Sequence, residues 1–252
     1  MHHDEVDRRR YDLPRRASGA EHRVVICSTP RSGSYLLCRQ MINAGIGVPH
    51  EYFRTRTVVR LAERFGVGAD DQLAYADALE ASRTTGNGVF AAKVQWTQLM
   101  QYPAVRERIL ERADVLIHLY RRDLVAQAVS WQVSLATGYW SFDATAGPRD
   151  ADITLERTDQ TLMLVRELLG QNRQWETLLA SIGPPVLQVP YESYVRDQPA
   201  LLHRVAAALA LPPDAWRVPP AEARDARLPV DVEAARSRLL ASARAATAIA
   251  NV

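Results

Sequence analysis

The chain runs to 252 residues, 47% hydrophobic and 24% charged, which suits one α/β domain with a sizeable core. Its 31 basic and 29 acidic residues leave a formal net charge of +2, which argues against a general nucleic-acid binder and makes any anion site a local concentration of arginine. Two cysteines, and no apolar run near the ~18 residues of a membrane span, argue against a disulfide framework and a transmembrane segment and point to a reducing cytoplasm.

Residues 1–22 are rich in His, Asp and Arg and lack the apolar stretch of a secretory signal. They read as a flexible, solvated leader; Arg8-Arg9-Arg10 and Arg15-Arg16 keep open a contact with an anionic partner. A single domain, 23–252, follows. Val24-Val25-Ile26-Cys27 is a short continuous apolar run, the mark of a buried parallel strand. Ser28-Thr29-Pro30-Arg31-Ser32-Gly33-Ser34 breaks it, and a helix is predicted from Ser34 to Ala44. Gly45 to Pro49 ends that helix.

Amphipathic segments are expected around 56–65 and 70–82, and Thr84 to Gly88 is turn chemistry. Val89 to Val94 reads as a second strand, and Trp96 to Arg112 as a helix disturbed by Pro103. Asp114 to Tyr120 is the clearest strand in the chain, with a helix from about Asp123 to Ala136 directly after it. Leu155, Leu162, Val165, Leu169, Trp175, Leu178 and Ile182 recur at helical spacing, giving one long helix with a buried stripe. Pro184-Pro185 stops it, Val186 to Val189 forms another strand, and helices around 199–209 and 232–246 complete the chain. Asp143 to Asp152 and Pro212 to Pro229 are the expected mobile loops. Strands alternating with helices predict a three-layer α/β/α fold with a central parallel sheet.

Two strand-to-helix corners carry chemistry. A helix N-terminus presents unpaired N–H groups and the positive end of its dipole to an anion. In Ser28 to Ser34, Gly33 lets the backbone approach closely, Arg31 supplies a donor fork that matches tetrahedral oxyanions, and Ser32 and Ser34 add hydroxyls. The G-x-x-x-x-G-K-[ST] pattern of a Walker loop is absent. The second corner, Arg121-Arg122-Asp123, leads through Gln127-Ala128 to Ser130, so Arg121 and Ser130 are candidates to clamp one phosphate. Either corner alone is an ordinary turn or an exposed helix start capped by Asp123; two of them, each behind a strand, are harder to dismiss. Lys93 stands apart for a different reason. It is the only lysine among 31 basic residues, which suggests a position needing a compact ammonium.

These segments resemble the bacterial trehalose 2-sulfotransferase family, sulfotransferases that use 3′-phosphoadenosine 5′-phosphosulfate (PAPS). The match lies in Arg31-Ser32-Gly33-Ser34, Pro49-His50-Glu51-Tyr52-Phe53, Gly88 to Lys93 with Trp96, and Arg121 through Ser130, in that order. It covers about residues 23–142 and continues more weakly through Val189-Pro190-Tyr191-Glu192. The resemblance implies a P-loop-type fold, PAPS as donor with PAP as product, no metal, a small-molecule hydroxyl acceptor and a homodimer. It places the donor's 5′ end on Arg31, Ser32, Gly33, Ser34 and Tyr35, and its 3′-phosphate on Arg121 and Ser130. Glu51 becomes the general base, with His50 as the rival because its pKa suits neutral pH. His50, Tyr52 and Phe53 would face the acceptor, Lys93 would stabilise the leaving oxygen, and Arg224, Asp225 and Arg227 would close over the donor.

Two positions depart from the family pattern. Val48 replaces an acidic residue that would bind sugar hydroxyls, which favours a less polar alcohol over trehalose, and Tyr35 replaces a small hydroxyl residue. The alternatives are a sulfotransferase-like scaffold that binds without turnover, and a degenerate P-loop kinase, which would need a loop lysine and a Mg²⁺ carboxylate.

Overall fold

The computed structural model describes residues 9–15, 19–138, 140, 158–221 and 231–250. The expected loop Asp143 to Asp152, the part of the Pro212 to Pro229 loop from Glu222 onward with Arg224, Asp225 and Arg227, and the helix start at Leu155 lie outside these residues.

The first strand, β1 (His22–Ser28), buries both faces from Val24 onward, as a run without a polar alternate must. It is followed by α1 (Ser34–Ala44), α2 (Thr55–Phe65), α3 (Gln72–Arg83) and β2 (Val89–Gln95). Then come α4 (Trp96–Leu99), α5 (Pro103–Glu111), β3 (Val115–Tyr120) and α6 (Leu124–Thr137). The chain closes with α7 (Thr158–Ala180), β4 (Val186–Pro190), α8 (Tyr191–Tyr194), α9 (Gln198–Ala208) and α10 (Val232–Ala250). The single helix expected from Trp96 to Arg112 is two. Proline lacks an N–H and disfavours helical geometry in the residue before it, so Tyr102 adopts φ −125°, ψ 67° and Pro103 opens α5 at its first position.

The four strands form one sheet in the order β2-β1-β3-β4, every pairing parallel. The crossover from β1 through α1–α3 runs outward to β2, and the next returns across β1 to β3. The switch point therefore lies at the carboxyl ends of β1 and β3, where ligands bind in open α/β sheets. One sheet face, with Val24 and Ile26, packs on α1 and α9 through Leu37, Met41, Leu202 and Val205. The other, with Val25 and Cys27, packs on α2, α3, α5 and Trp175 of α7. This is the expected three-layer α/β/α arrangement. Among the described residues, no helix is long and apolar enough to cross a membrane.

Gly47 sets the course of the acceptor segment. It has φ +74°, and a Cβ there would sit 2.5 Å from Ala91 Cβ. Only glycine lets the chain leaving α1 press onto β2. The next residues then run along the free edge of that strand, where the Lys93 amide donates to His50 O at 2.9 Å. Part of the leader is packed as well: the Leu13 amide donates to Ser82 O at 2.8 Å.

Candidate active site

The first corner leaves β1 at Ser28. Trp175 Nε1 donates to Ser28 O at 3.1 Å, holding the strand end from α7. Gln127 of α6, fully buried, donates through Nε2 to Thr29 Oγ1 at 3.0 Å and to Pro30 O at 2.6 Å. Arg31 then adopts φ 62°, rare for a residue with a side chain, and Gly33 follows at φ 86° as the N-cap of α1. A Cβ on Gly33 would lie 2.4 Å from the Tyr191 ring. The loop is thus bent so that Arg31 reaches α6 at Ser130. Ser32 is fully buried, and its Oγ has no hydrogen-bond partner among the described residues. A buried hydroxyl left unpaired is costly, and this one sits in the loop expected to cradle an oxyanion.

The second corner leaves β3. Both oxygens of Glu192 accept from the Arg122 amide at 3.2 Å, and Oε1 accepts from Asp123 N at 3.3 Å. Asp123 caps α6 by accepting from Ala126 N at 3.0 Å, and its other oxygen receives Arg236 of α10 at 2.8 Å. Arg121 is aimed inward, its guanidinium 4.7 Å from the centre of the Tyr191 ring.

The corners meet. Arg31 Nε donates to Ser130 Oγ at 3.0 Å, and its Nη1 donates to Trp140 O. Burial, and after it the positive charge of Arg121, pulls the Arg31 guanidinium down to about 10, with Tyr191 acting in the opposite sense. The two guanidiniums feel each other, and Tyr191 packs against both the Gly33 turn and Arg121.

A third cluster lies beside α1. Lys93 Nζ is 2.6 Å from Glu51 Oε1, with the ammonium side chain at 0% exposure and the carboxylate at 5%. Gln95 Nε2 donates to the same oxygen at 2.8 Å, and Gln98 Nε2 donates to Oε2 at 3.0 Å. The Tyr35 ring covers the ammonium at 3.6 Å, a cation–π contact that ties this cluster to the first corner. Cys38 of α1 lies within the field of both charges; burial above all pushes its thiol up to about 12, so it stays neutral.

The expected site residues therefore fall into two groups. Arg31, Ser32, Gly33, Ser34, Tyr35, Arg121 and Ser130 surround the switch point, and Glu51 with Lys93 lies beside it. Tyr52 and Phe53, expected at the acceptor, are fully buried in the core instead. The Tyr52 ring stacks on Phe90 and its hydroxyl donates to Val48 O at 2.5 Å; Phe53 packs against Tyr75 and Tyr102. The ring of His50 is buried edge-on to Tyr52. Aromatic residues next to a polar site residue look alike in sequence whether they face a ligand or anchor a turn. Gln95 and Gln98 escaped the sequence reading, because a buried amide carries no spacing signature.

A parallel sheet covered by helices, with two strand-to-helix corners at its switch point, defines an open α/β protein. The comparisons then give the family: a sequence model of the Stf0 sulphotransferases matches residues 23–233, and the chain belongs to that family. The chain is 23% identical over 227 residues to a trehalose 2-sulfotransferase of Mycobacterium tuberculosis (strain ATCC 35801 / TMC 107 / Erdman), covering 75% of this chain and 84% of the relative. Among solved structures, it is similar to a sulfotransferase from Alicyclobacillus acidocaldarius (16% identity, 88% of this chain and 91% of that one, TM-score 0.48). It is also similar to the sulfotransferase domain of the Synechococcus PCC 7002 olefin synthase (16% identity, 91% and 97%, TM-score 0.46).

Proposed function

We propose that this chain transfers a sulfuryl group from PAPS to a hydroxyl of a small-molecule acceptor. The observation that carries this reading is that the two basic corners meet, the Arg31 loop and Arg121 both packing on Tyr191 and Arg31 bonding to Ser130, with a buried Ser32 hydroxyl in that loop that has no partner among the described residues. A donor with an anionic group at each end suits two such arginines. Arg31, Ser32, Gly33 and Ser34 would hold the 5′-phosphosulfate, and Arg121 and Ser130 the 3′-phosphate. The close Gly33–Tyr191 approach supports a loop shaped to bring backbone amides near an anion.

PAPS, when bound, supplies an electrophilic sulfuryl group and a phosphate able to depart with its charge. Glu51 takes the proton of the acceptor hydroxyl as the new O–S bond forms, an effect worth about 10²–10⁴-fold. It is preferred to His50 because Lys93, Gln95 and Gln98 all hold its carboxylate. That carboxylate is ion-paired while the site waits. When the proton arrives, Glu51 becomes neutral and the Lys93 ammonium is released from its partner. Its charge is then available to the departing phosphate, at the moment negative charge collects there. Val48 lies buried behind this segment, which supports an alcohol acceptor not read by an acidic side chain at that position.

The test is ³⁵S transfer from labelled PAPS into a mixed metabolite extract, with Glu51→Gln as control. Labelled product that disappears in the variant is the expected outcome, and mass analysis then names the acceptor. Binding of PAPS without product would replace this reading with a non-catalytic scaffold, and product formed only with ATP would replace it with a kinase.

A further inference from the structure

Residues 9–15 precede the segment matched by the family, which begins at residue 23, yet they reach the core behind the Glu51 turn. Arg15 Nη2 donates to Phe65 O at the end of α2, 3.3 Å away, and the Leu13 amide donates to Ser82 O near the end of α3. Just before these two ties, Asp12 faces two arginines that close adjacent helices. Its Oδ1 is 2.7 Å from Nη2 of Arg83, whose side chain is at 0% exposure, and its Oδ2 is 3.4 Å from Nη1 of Arg64. A cation at a helix C-terminus is favoured by the dipole, but two side by side repel, and burying one demands a partner. Asp12 meets both needs with one carboxylate.

Arg83 leads onward to the candidate active site. Its guanidinium lies 5.7 Å from the centre of the Tyr52 ring. Tyr52 holds the turn that carries Glu51: its hydroxyl donates to Val48 O, its amide donates to His50 O at 2.9 Å, and its carbonyl accepts from Tyr75 at 2.8 Å. We propose that Asp12 is a positioning residue for Glu51, acting through Arg83 and Tyr52, so that a leader segment outside the family-matched domain sets the geometry of the acceptor side. The contact chain is independent of the donor; its catalytic meaning rests on the proposed role of Glu51.

The experiment compares Asp12→Asn, Asp12→Glu and Arg64→Gln in the full chain. Hydrogen exchange at the Tyr52 and Arg54 amides, which bond to His50 O and Glu51 O, reports the turn directly. Turnover with labelled PAPS and PAP dissociation constants are measured alongside, and a melting curve establishes that each variant is folded. Asp12→Asn is expected to speed exchange at these amides about tenfold and to lower kcat about tenfold, less than the ~10²-fold cost of a 1 Å misplacement. PAP affinity stays unchanged, and Asp12→Glu recovers most of both losses. Arg64→Gln, which touches Asp12 but not Tyr52, leaves both near wild type. Unchanged exchange in Asp12→Asn, or the same effect from Arg64→Gln, overturns the inference. Wild-type protein that transfers no label would defeat the proposed reaction, while the exchange measurement still decides the link between Asp12 and the turn.

Discussion

The two sides proposed here, one for the donor and one for the acceptor, are built by different means. Around the switch point, the groups offered to a ligand come from backbone corners: a bent loop after β1 and a capped turn after β3, each opening a helix. At Glu51, nothing is a helix terminus. A carboxylate on an edge-hugging turn is held by an ammonium from β2, an amide at the end of β2 and another from α4. The first construction depends on where strands end and recurs wherever an α/β protein binds an anion. The second depends on side chains meeting across elements, so single substitutions reach it more directly.

That contrast is sharpest at Glu51 itself. Glu51→Gln keeps the size but cannot take a proton, and its amide nitrogen sets a donor where the carboxylate accepts from Lys93, Gln95 and Gln98, so kcat is expected to fall about 10²–10⁴-fold. PAPS affinity, measured by equilibrium titration, stays within about twofold if the two sides are separable. A parallel loss of affinity would mean that the acceptor cluster also holds the donor. Arg121→Ala addresses the other side. Loss of one charge-assisted fork in a shielded pocket is expected to weaken donor binding about 10²-fold. Selectivity against the analogue lacking the 3′-phosphate should collapse. Equal weakening for both analogues would remove Arg121 from the 3′-phosphate.

Gly33→Ala breaks the donor corner without touching a charge. The new methyl meets the Tyr191 ring at a φ that L-residues avoid, costing about 1–3 kcal/mol of stability and about tenfold in PAPS affinity. Chemical denaturation and titration read the two effects, and an unaltered affinity would show that the loop's bend is not needed by the donor.

The smallest expected effect lies within the sheet itself. His118 of β3 is buried, with Nδ1 2.9 Å from Gln188 Oε1. Burial holds its pKa below the ordinary value, against the opposing pull of the Gln188 hydrogen bond and Glu176. The folded form therefore keeps a neutral imidazole while the unfolded chain protonates near 6.5. Stability from this group is complete above that pH and is lost as pH falls through it toward the lowered folded value. Between pH 7.5 and 5.5 the melting temperature should drop about 2 °C more in wild type than in His118→Gln. Identical pH profiles would remove His118 as the source.

The central strands β1 and β3 were legible because a doubly buried parallel strand needs a continuous apolar run, as in Val24 to Cys27 and Val115 to Ile117. A turn that opens a helix needs residues such as Gly33 and Asp123. Lys93 was legible for its rarity. Tyr52 and Phe53 were not, since an aromatic beside Glu51 reads the same whether it lines a site or anchors a turn. Gln95 and Gln98 were also silent: an amide says nothing of its partner until the fold supplies one.

What the linear chain determined by itself is the set of local choices: where strands stop, where helices start, and which loops bring a cation to those points. These follow from backbone sterics, hydrogen-bonding capacity and hydrophobic period within a few residues. Only the tertiary structure decided that Arg31 reaches Ser130, that Lys93 lies on Glu51 under the Tyr35 ring, and that Asp12 reaches Arg83. Those contacts join residues up to 99 positions apart, and their partners are chosen by the packing of whole elements against the sheet.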